Sequence, residues 1–515
     1  MSKNLFNGKK AFSLFLTTVF LGLSIFTVNA EPVSEAADDD ISETLGSSTA
    51  ESRYSGAFVI VDDTKSVAQT YLSTKSQENA LFVADGESVL TNSTIIKSGD
   101  LDEDITDLYG TNSAVFVYNG ATLNLSGGSV STEGNRSDAL FSYETGIINV
   151  NDMTISTIGD NSGGVAVAGG GTLSAKNATV STTGDYSPAL KSEKGGGTLK
   201  VDGGTYSTSG TGSPAIFSTA KISVSNANLT STASEGVVVE GANSVTLKNV
   251  TLTDTNNKLD DESDSYKNIF MYRSSSGNTK TVTSNFTAKD SRITTNKGDT
   301  FFVTNTTATI DLINNTIVNT DGDFLRVQSG EWGDEGSNGG NVTLNMSFQK
   351  AEGGIFVDGD STLSVKMDDE SFFKGFIDGD NQSKKVTLDL SKDSTVVLTS
   401  DSYIDLLKNE DTKNSNIYLN GHKLYVNGTA VSGNNGTYGG EVTTATEATA
   451  AVEETTLSKP QSNQTDGNKI TTLYPIIGIS AAAFVVIVIA VVVIIKRRIN
   501  IRSNNNETAG KNDNE

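Results

Sequence analysis

The chain of 515 residues contains no cysteine, five prolines, one histidine and one tryptophan. Without cysteine there are no disulfides and no thiolate metal centres, so an exported domain must be held by its own core and its hydrogen bonds. Basic residues are also scarce: 38 Lys and Arg stand against 62 Asp and Glu, a net charge of −24. Nucleic acid and anionic lipid both demand basic patches, so neither is expected as the main partner. Long apolar runs are missing from the interior and occur only near the two ends.

The first run, residues 11–28, follows Lys3, Lys9 and Lys10 and leads into Val28-Asn29-Ala30, a small-residue pattern suited to signal peptidase. Residues 1–30 therefore read as a secretory signal, with an uncleaved anchor as the alternative. The second run, residues 476–495, carries no charge. At about 1.5 Å rise per residue it matches a hydrocarbon core of about 30 Å. Tyr474 borders it on one side and Lys496, Arg497, Arg498 and Arg502 on the other. Residues 474–495 are thus expected to form a single transmembrane α-helix, with residues 496–515 cytoplasmic and everything before it outside. No Leu-Pro-x-Thr-Gly sorting motif precedes the helix. Residues 31–53 are acidic and residues 441–473 are rich in Thr, Ala and Glu. Both have too few apolar side chains for a core and are expected as a flexible lead and a membrane-proximal stalk. That leaves residues 54–440 as the folded ectodomain.

Within it, apolar residues recur at offsets 0, 2 and 7 with a small or polar residue at offset 9, first as Leu123, Leu125, Val130 and Thr132. Seven further segments fit, starting at Ile148, Leu173, Leu199, Ile222, Val245, Phe286 and Ile310. Successive starts differ by 25, 25, 26, 23, 23, 41 and 24 residues, the long value marking an insertion. Such offsets describe two short strands joined by a polar turn, because residues two apart share a face. A third short strand follows each Ser-Gly turn, as in "GGVAVAG" and "SPAIFS". Three strands and three turns at a fixed period make one coil of a parallel β-solenoid, its coils stacked about 4.8 Å apart. Gly clusters, Asn and Thr inside every repeat argue against a helical array, and a β-sandwich gives no reason for constant offsets. The stretch "STTGDYSPAL" (residues 181–190) and its near-copy "STSGTGSPAI" (207–216) are then the same corner on successive coils.

The passage through those two corners resembles the repeats of right-handed parallel β-helix surface proteins of the pectate-lyase-like superfold, particularly adhesin-like bacterial passengers. "VTLDLSKDSTVVLTSDSYIDLL" and "SNIYLNGHKLYVNG" are similar to terminal coils of such proteins. The resemblance spans roughly residues 80–428 and implies an all-β, right-handed parallel β-helix (solenoid) ectodomain at a cell surface. It leaves function open, since the superfold hosts lyases, hydrolases and adhesins. Unlike autotransporters, this chain closes with an apolar run rather than a membrane barrel.

Chemistry must be sought on the outer faces. Three "DGD" triplets, Asp321/Asp323, Asp358/Asp360 and Asp378/Asp380, pair a turn dipeptide with candidate ligands for Ca²⁺, of which Asp321, Asp323, Asp358 and Asp360 are the best placed. No other cofactor is expected. His422 lies between two Asn-Gly turns and suits a terminal hairpin. Trp332, in "SGEWGDEGSNGG", is either a sugar-stacking residue or a loop anchor. Sequons at Asn92, Asn177, Asn228, Asn249 and Asn285 arise readily in so polar a chain. The clearest pattern is at offsets 6 and 8: Thr154/Ser156, Thr179/Ser181 and Thr205/Ser207, continued by Ser129/Ser131, Asn228/Thr230 and Thr251/Thr253. Stacking turns these into two hydroxyl ladders. The expected function is non-catalytic adhesion or display by a membrane-anchored cell-surface rod that binds an extracellular glycan, a matrix or another cell. A polysaccharide lyase or glycoside hydrolase on the same fold is the first alternative, and an ice- or glycan-binding Ser/Thr array the second.

Overall fold

A computed structural model describes residues 54–102, 108–193, 195–259, 263–274 and 283–439. The chain divides into two compact units, Met1–Glu447 and Ala448–Glu515, and every described residue belongs to the first. The expected signal, acidic lead, stalk, membrane helix and tail lie outside the described residues. Among the described residues no helix is long and apolar enough to cross a membrane.

The expected period is the physical repeat. Leu123, Ile148, Leu173, Leu199, Ile222, Val245, Phe286 and Ile310 pair one with the next in parallel register. All eight are wholly buried. The chain forms a right-handed parallel β-helix of about fourteen coils. Its described strands make sheets of 12, 20, four and three strands, and the element order contains no helix. The 12-stranded sheet collects the third, short strand of each coil, for instance Val165–Ala168 and Leu190–Ser192. The 20-stranded sheet holds the other two limbs.

The turn expected between those two limbs is tighter than the sequence suggests. Glu87–Lys97, Thr122–Thr132, Gly171–Thr182 and Gly197–Thr208 run through it as single strands. The bend is made by residues in the left-handed region: Asn92, Asn177, Asn226, Asn249 and Asn314 have φ between 50° and 55°, and Gly127-Gly128 and Gly203-Gly204 occupy the same corner. Asparagine tolerates this conformation better than most residues. Stacking adds a benefit, since Asn249 Nδ2 donates to Asn226 Oδ1 at 2.8 Å. Three of the sequons noted above are therefore corner residues.

The corner within "STTGDYSPAL" is built differently. A Cβ on Gly184 would lie 1.9 Å from the carbonyl oxygen of Gly159, and one on Gly210 would lie 1.8 Å from that of Gly184. Only hydrogen fits this column. The next position carries a polar chain of its own: Asp160, Asp185 and Thr211 donate their backbone N–H groups to Asn135, Asp160 and Asp185 Oδ1 at 2.9, 2.8 and 2.7 Å. Ser162, Ser187 and Ser213 each accept from the backbone N–H of the preceding coil at 2.8–2.9 Å. Every coil thus supplies the acceptors that its neighbour's bent backbone lacks.

Offset 9 points inward as expected and is polar along its length, with Lys97, Thr132, Thr157, Thr182, Thr208, Ser231, Asp254 and Thr295 in register. Thr157 and Thr182 donate to the corner carbonyls of Ser162 and Ser187 at 2.6 and 2.5 Å. Buried Lys97 donates to the carbonyls of Lys75 and Gly99, and burial pushes its ammonium down to about 8. Asp254 accepts from Asn256 N through Oδ1 at 2.7 Å, while its Oδ2 has no hydrogen-bond partner among the described residues. Burial pushes this carboxyl up to about 7, with the Asn256 hydrogen bond opposing and the Glu235 charge assisting. The far end of the described solenoid is closed by an antiparallel hairpin, Leu424–Val426 with Thr429–Ala430, around the left-handed pair Asn427-Gly428.

Two outcomes follow. Gly184→Val should cost on the order of 3 kcal/mol or more, read as a fall in Tm, whereas Gly359→Ala, whose nearest non-neighbouring atom is 3.4 Å from the added carbon, should stay within about 0.5 kcal/mol. For Asp254 the folded value exceeds the unfolded one. The group therefore costs nothing below about pH 4, costs progressively more up to pH 7, and costs up to about 4 kcal/mol above it. Asp254→Asn should remove this decline and be more stable than the parent at pH 8 in denaturant titrations.

Candidate functional site

The two hydroxyl ladders form as the spacing requires. Ser129, Thr154, Thr179, Thr205, Asn228 and Thr251 pair in succession, as do Ser131, Ser156, Ser181, Ser207, Thr230 and Thr253. Thr154, Thr179 and Thr205 are exposed, while Ser156, Ser181 and Ser207 are half-buried. Arg292 ends the first ladder and Thr294 extends the second. Rungs about 4.8 Å apart and columns roughly 6.6 Å apart make a flat lattice of groups that both donate and accept.

Two of the aspartates, Asp358 and Asp378, work as turn caps. Asp358 Oδ2 accepts from the backbone N and the hydroxyl of Ser329 at 2.7 and 2.6 Å, and its Oδ1 accepts from Asp360 N at 3.2 Å. Burial raises this carboxyl, but hydrogen bonds from Ser329 and Ser361 outweigh it and hold the group below its ordinary value. Asp378 similarly accepts from Ser383 Oγ at 2.6 Å. Asp323 is ion-paired with Arg326, whose Nε also reaches Asp299 at 2.7 Å. Asp321 and Asp380 are exposed, and Asp360 is half-buried. Among the described residues no group of three or more acidic or histidine side chains is arranged to hold a metal ion. Trp332 is half-buried, with its ring 5.5 Å from that of Tyr272.

A second face was not legible from the period. On the 12-stranded sheet, the residues facing outward include Phe82, Phe116, Phe141, Ala166, Lys191, Phe217, Val238, Phe270 and Phe302. Phe116 and Phe141 have no exposed surface, packed with Tyr54, Tyr118 and Phe82 in a small second core. In sequence, strings such as "VFV" and "IFM" look like inward residues throughout.

Where that core ends, ionisable groups take over. Lys191 lies 3.0 Å from Asp138 Oδ1 and 2.9 Å from Glu193 Oε1, with only 4% of its side chain exposed. Glu240 pairs with Tyr272 on the next coil, while Glu193 and Thr219 directly follow the short strands Leu190–Ser192 and Ile216–Ser218. Glu240 accepts from the hydroxyl of Ser274 and from Tyr272 OH at 3.4 Å. Burial raises the Glu240 carboxyl above its ordinary value, and the negative charge of Glu193 adds to the effect. Gly195, Gly196, Thr219, Ala242 and Asn243 line a shallow open depression to which neither glutamate contributes. The sequence signal was available in "KSEK" and "VVVEGA", acidic residues closing a short strand, but without a tertiary neighbour neither stands out.

No family model, no curated protein and no solved structure matches this chain. Asp358→Ala should lower stability by about 1–3 kcal/mol through the loss of the Ser329 hydrogen bonds, equally with calcium or with chelator. A calcium-dependent rise in Tm that disappears in the variant would instead assign the triplet to the ion.

Proposed function

We propose that the protein is a surface rod for adhesion or display that binds an extracellular glycan or matrix polymer through its hydroxyl face. The supporting observation is the unbroken stacking of Thr154, Thr179 and Thr205 beside Ser156, Ser181 and Ser207. A lattice of hydroxyls on a flat face suits a repeating polar ligand, which many weak contacts hold along its length. Surface display is supported by the apolar runs at residues 11–28 and 476–495. The Gly-rich and Asn-rich corners serve stacking, so the specificity of the rod belongs to its faces and its insertions.

Full-length protein in detergent, applied to an array of immobilised glycans and matrix polymers, should be retained. The double variant Thr179→Tyr, Ser181→Tyr should weaken retention at least about tenfold, equivalent to about 1.4 kcal/mol. Retention unchanged by the double variant removes the hydroxyl face from the binding surface. Thermal hysteresis present in the parent and lost in the variant would assign the lattice to ice instead.

A further inference from the structure

We infer that Lys191 and Asp138 are the two ends of an intramolecular amide bond: the Lys191 amine condenses with the Asp138 carboxyl, Glu193 carries the proton, and one water is released. The bond forms once the coils have stacked, and it staples two coils across the one between them. It lies on the outer face of the 12-stranded sheet and is independent of the hydroxyl ladders and of any ligand they hold.

Geometry carries it first. Leu140, Val165 and Leu190 stand in register on three successive coils. Asp138 precedes the first and Lys191 follows the last, so the Lys191 side chain crosses the middle coil to reach Asp138. Gly163 leaves the way open: a Cβ there would lie 2.7 Å from Lys191 Cδ, 3.0 Å from its Cε and 3.1 Å from Asp138 Oδ1. Lys191 Nζ arrives 3.0 Å from Asp138 Oδ1 and 2.9 Å from Glu193 Oε1, and the side chains of Lys191 and Asp138 are 4% and 2% exposed. The backbone N–H of Gly163 donates to the same Asp138 Oδ1 at 2.6 Å. An amine, a carboxyl, a second carboxylate to move the proton and a donor on the carbonyl oxygen therefore meet at one buried point. Ala166, the register neighbour of Lys191, belongs to the small aromatic core, which walls the point on one side.

The chemistry follows from that arrangement. A proton passing from Lys191 to Asp138 Oδ2 leaves a neutral amine beside a neutral acid, and removal from water favours neutral groups over an ion pair. The amine nitrogen adds to Asp138 Cγ, Oδ1 takes the developing negative charge under the Gly163 N–H, and Glu193 accepts a proton from the nitrogen. Glu193 returns that proton to Oδ2, the bond from Cγ to Oδ2 breaks, and water departs. Nζ keeps one hydrogen, Oδ1 becomes the amide oxygen, and Glu193 ends as it began. Bulk water opposes such a condensation, but fixed contact is worth an effective concentration of about 10⁵–10⁸ M, and burial denies water the return path. The product is an uncharged amide where a buried ion pair stood. It closes the loop of residues 138–191, which restricts the unfolded chain as a disulfide would in a chain that has no cysteine.

The test is mass spectrometry of the full-length protein, purified folded, then denatured and digested with trypsin and a glutamate-specific protease together. Those cuts release residues 137–144 and 177–193, which are separate in the sequence. The parent should give them as one branched peptide, lighter than their sum by one water, with Lys191 resistant to trypsin. Fragment ions should place the bond between Lys191 and Asp138. Lys191→Arg and Asp138→Ala should each lose the branched peptide. Glu193→Gln, which keeps both ends of the bond, should lower its yield at least about tenfold with unchanged circular dichroism. A free 137–144 peptide and complete tryptic cleavage at Lys191 in the parent overturn the bond. A branched peptide undiminished in Glu193→Gln overturns the role given to Glu193.

Discussion

Residue-for-residue hydrogen bonding between successive coils is the constraint on which everything else here rests. Parallel pairing at about 4.8 Å sets each side chain directly over its counterpart, so a position is judged by its column and not by its immediate sequence neighbours. A column through the core must be apolar and of similar size. A column at a corner must share one backbone conformation. Gly159, Gly184 and Gly210 form the extreme case, where each carbonyl occupies the space that the next residue's Cβ would need. Asn226 and Asn249 form a milder one, where each asparagine bears a left-handed bend and the Asn249 side chain donates to that of Asn226.

The same constraint explains a polar column inside the solenoid. A chain that bends three times per coil leaves backbone carbonyls at its corners, and those turned inward have no water to meet. Thr157 and Thr182 meet them from within, so a hydroxyl there contributes more than a methyl would. Lys97 exploits the arrangement at one end, where two carbonyls accept from its ammonium. Asp254 stretches it, since it stands where the insertion leaves the coil and turns one oxygen to Asn256 while the other finds no donor among the described residues. Insertions are forced outward because any residue added within a limb would slip the register of every later column.

The offset pattern was legible because inward columns of a repeating coil must be apolar in every copy, and eight copies make the pattern redundant. The ladders at Thr154 and Ser156 followed from the same register with no further information. The "GDYS" corner was also readable as a turn, although its Gly column and its Asp-to-backbone chain required the coordinates. The DGD triplets were ambiguous, because Asp-Gly serves a turn and a cation equally well until the partners of Asp358 and Asp378 are known. The outer face of the 12-stranded sheet was hidden for a different reason. From Phe82 to Ala168 its outward residues are apolar because Tyr54 and Tyr109 pack against them, and the strands there lose their alternation.

The sequence by itself determined the coil: its period, its inward columns, its corners and the hydroxyl face, all written by repetition. Tertiary structure alone decided what lies over the third strand and which residues meet there. Glu240 and Tyr272 are 32 positions apart in a chain with no visible motif, and they pair only because one coil is stacked on the next. Lys191 reaches Asp138 by the same winding. Repetition encodes the scaffold locally, whereas a site made from single residues on separate coils exists only once those coils are stacked.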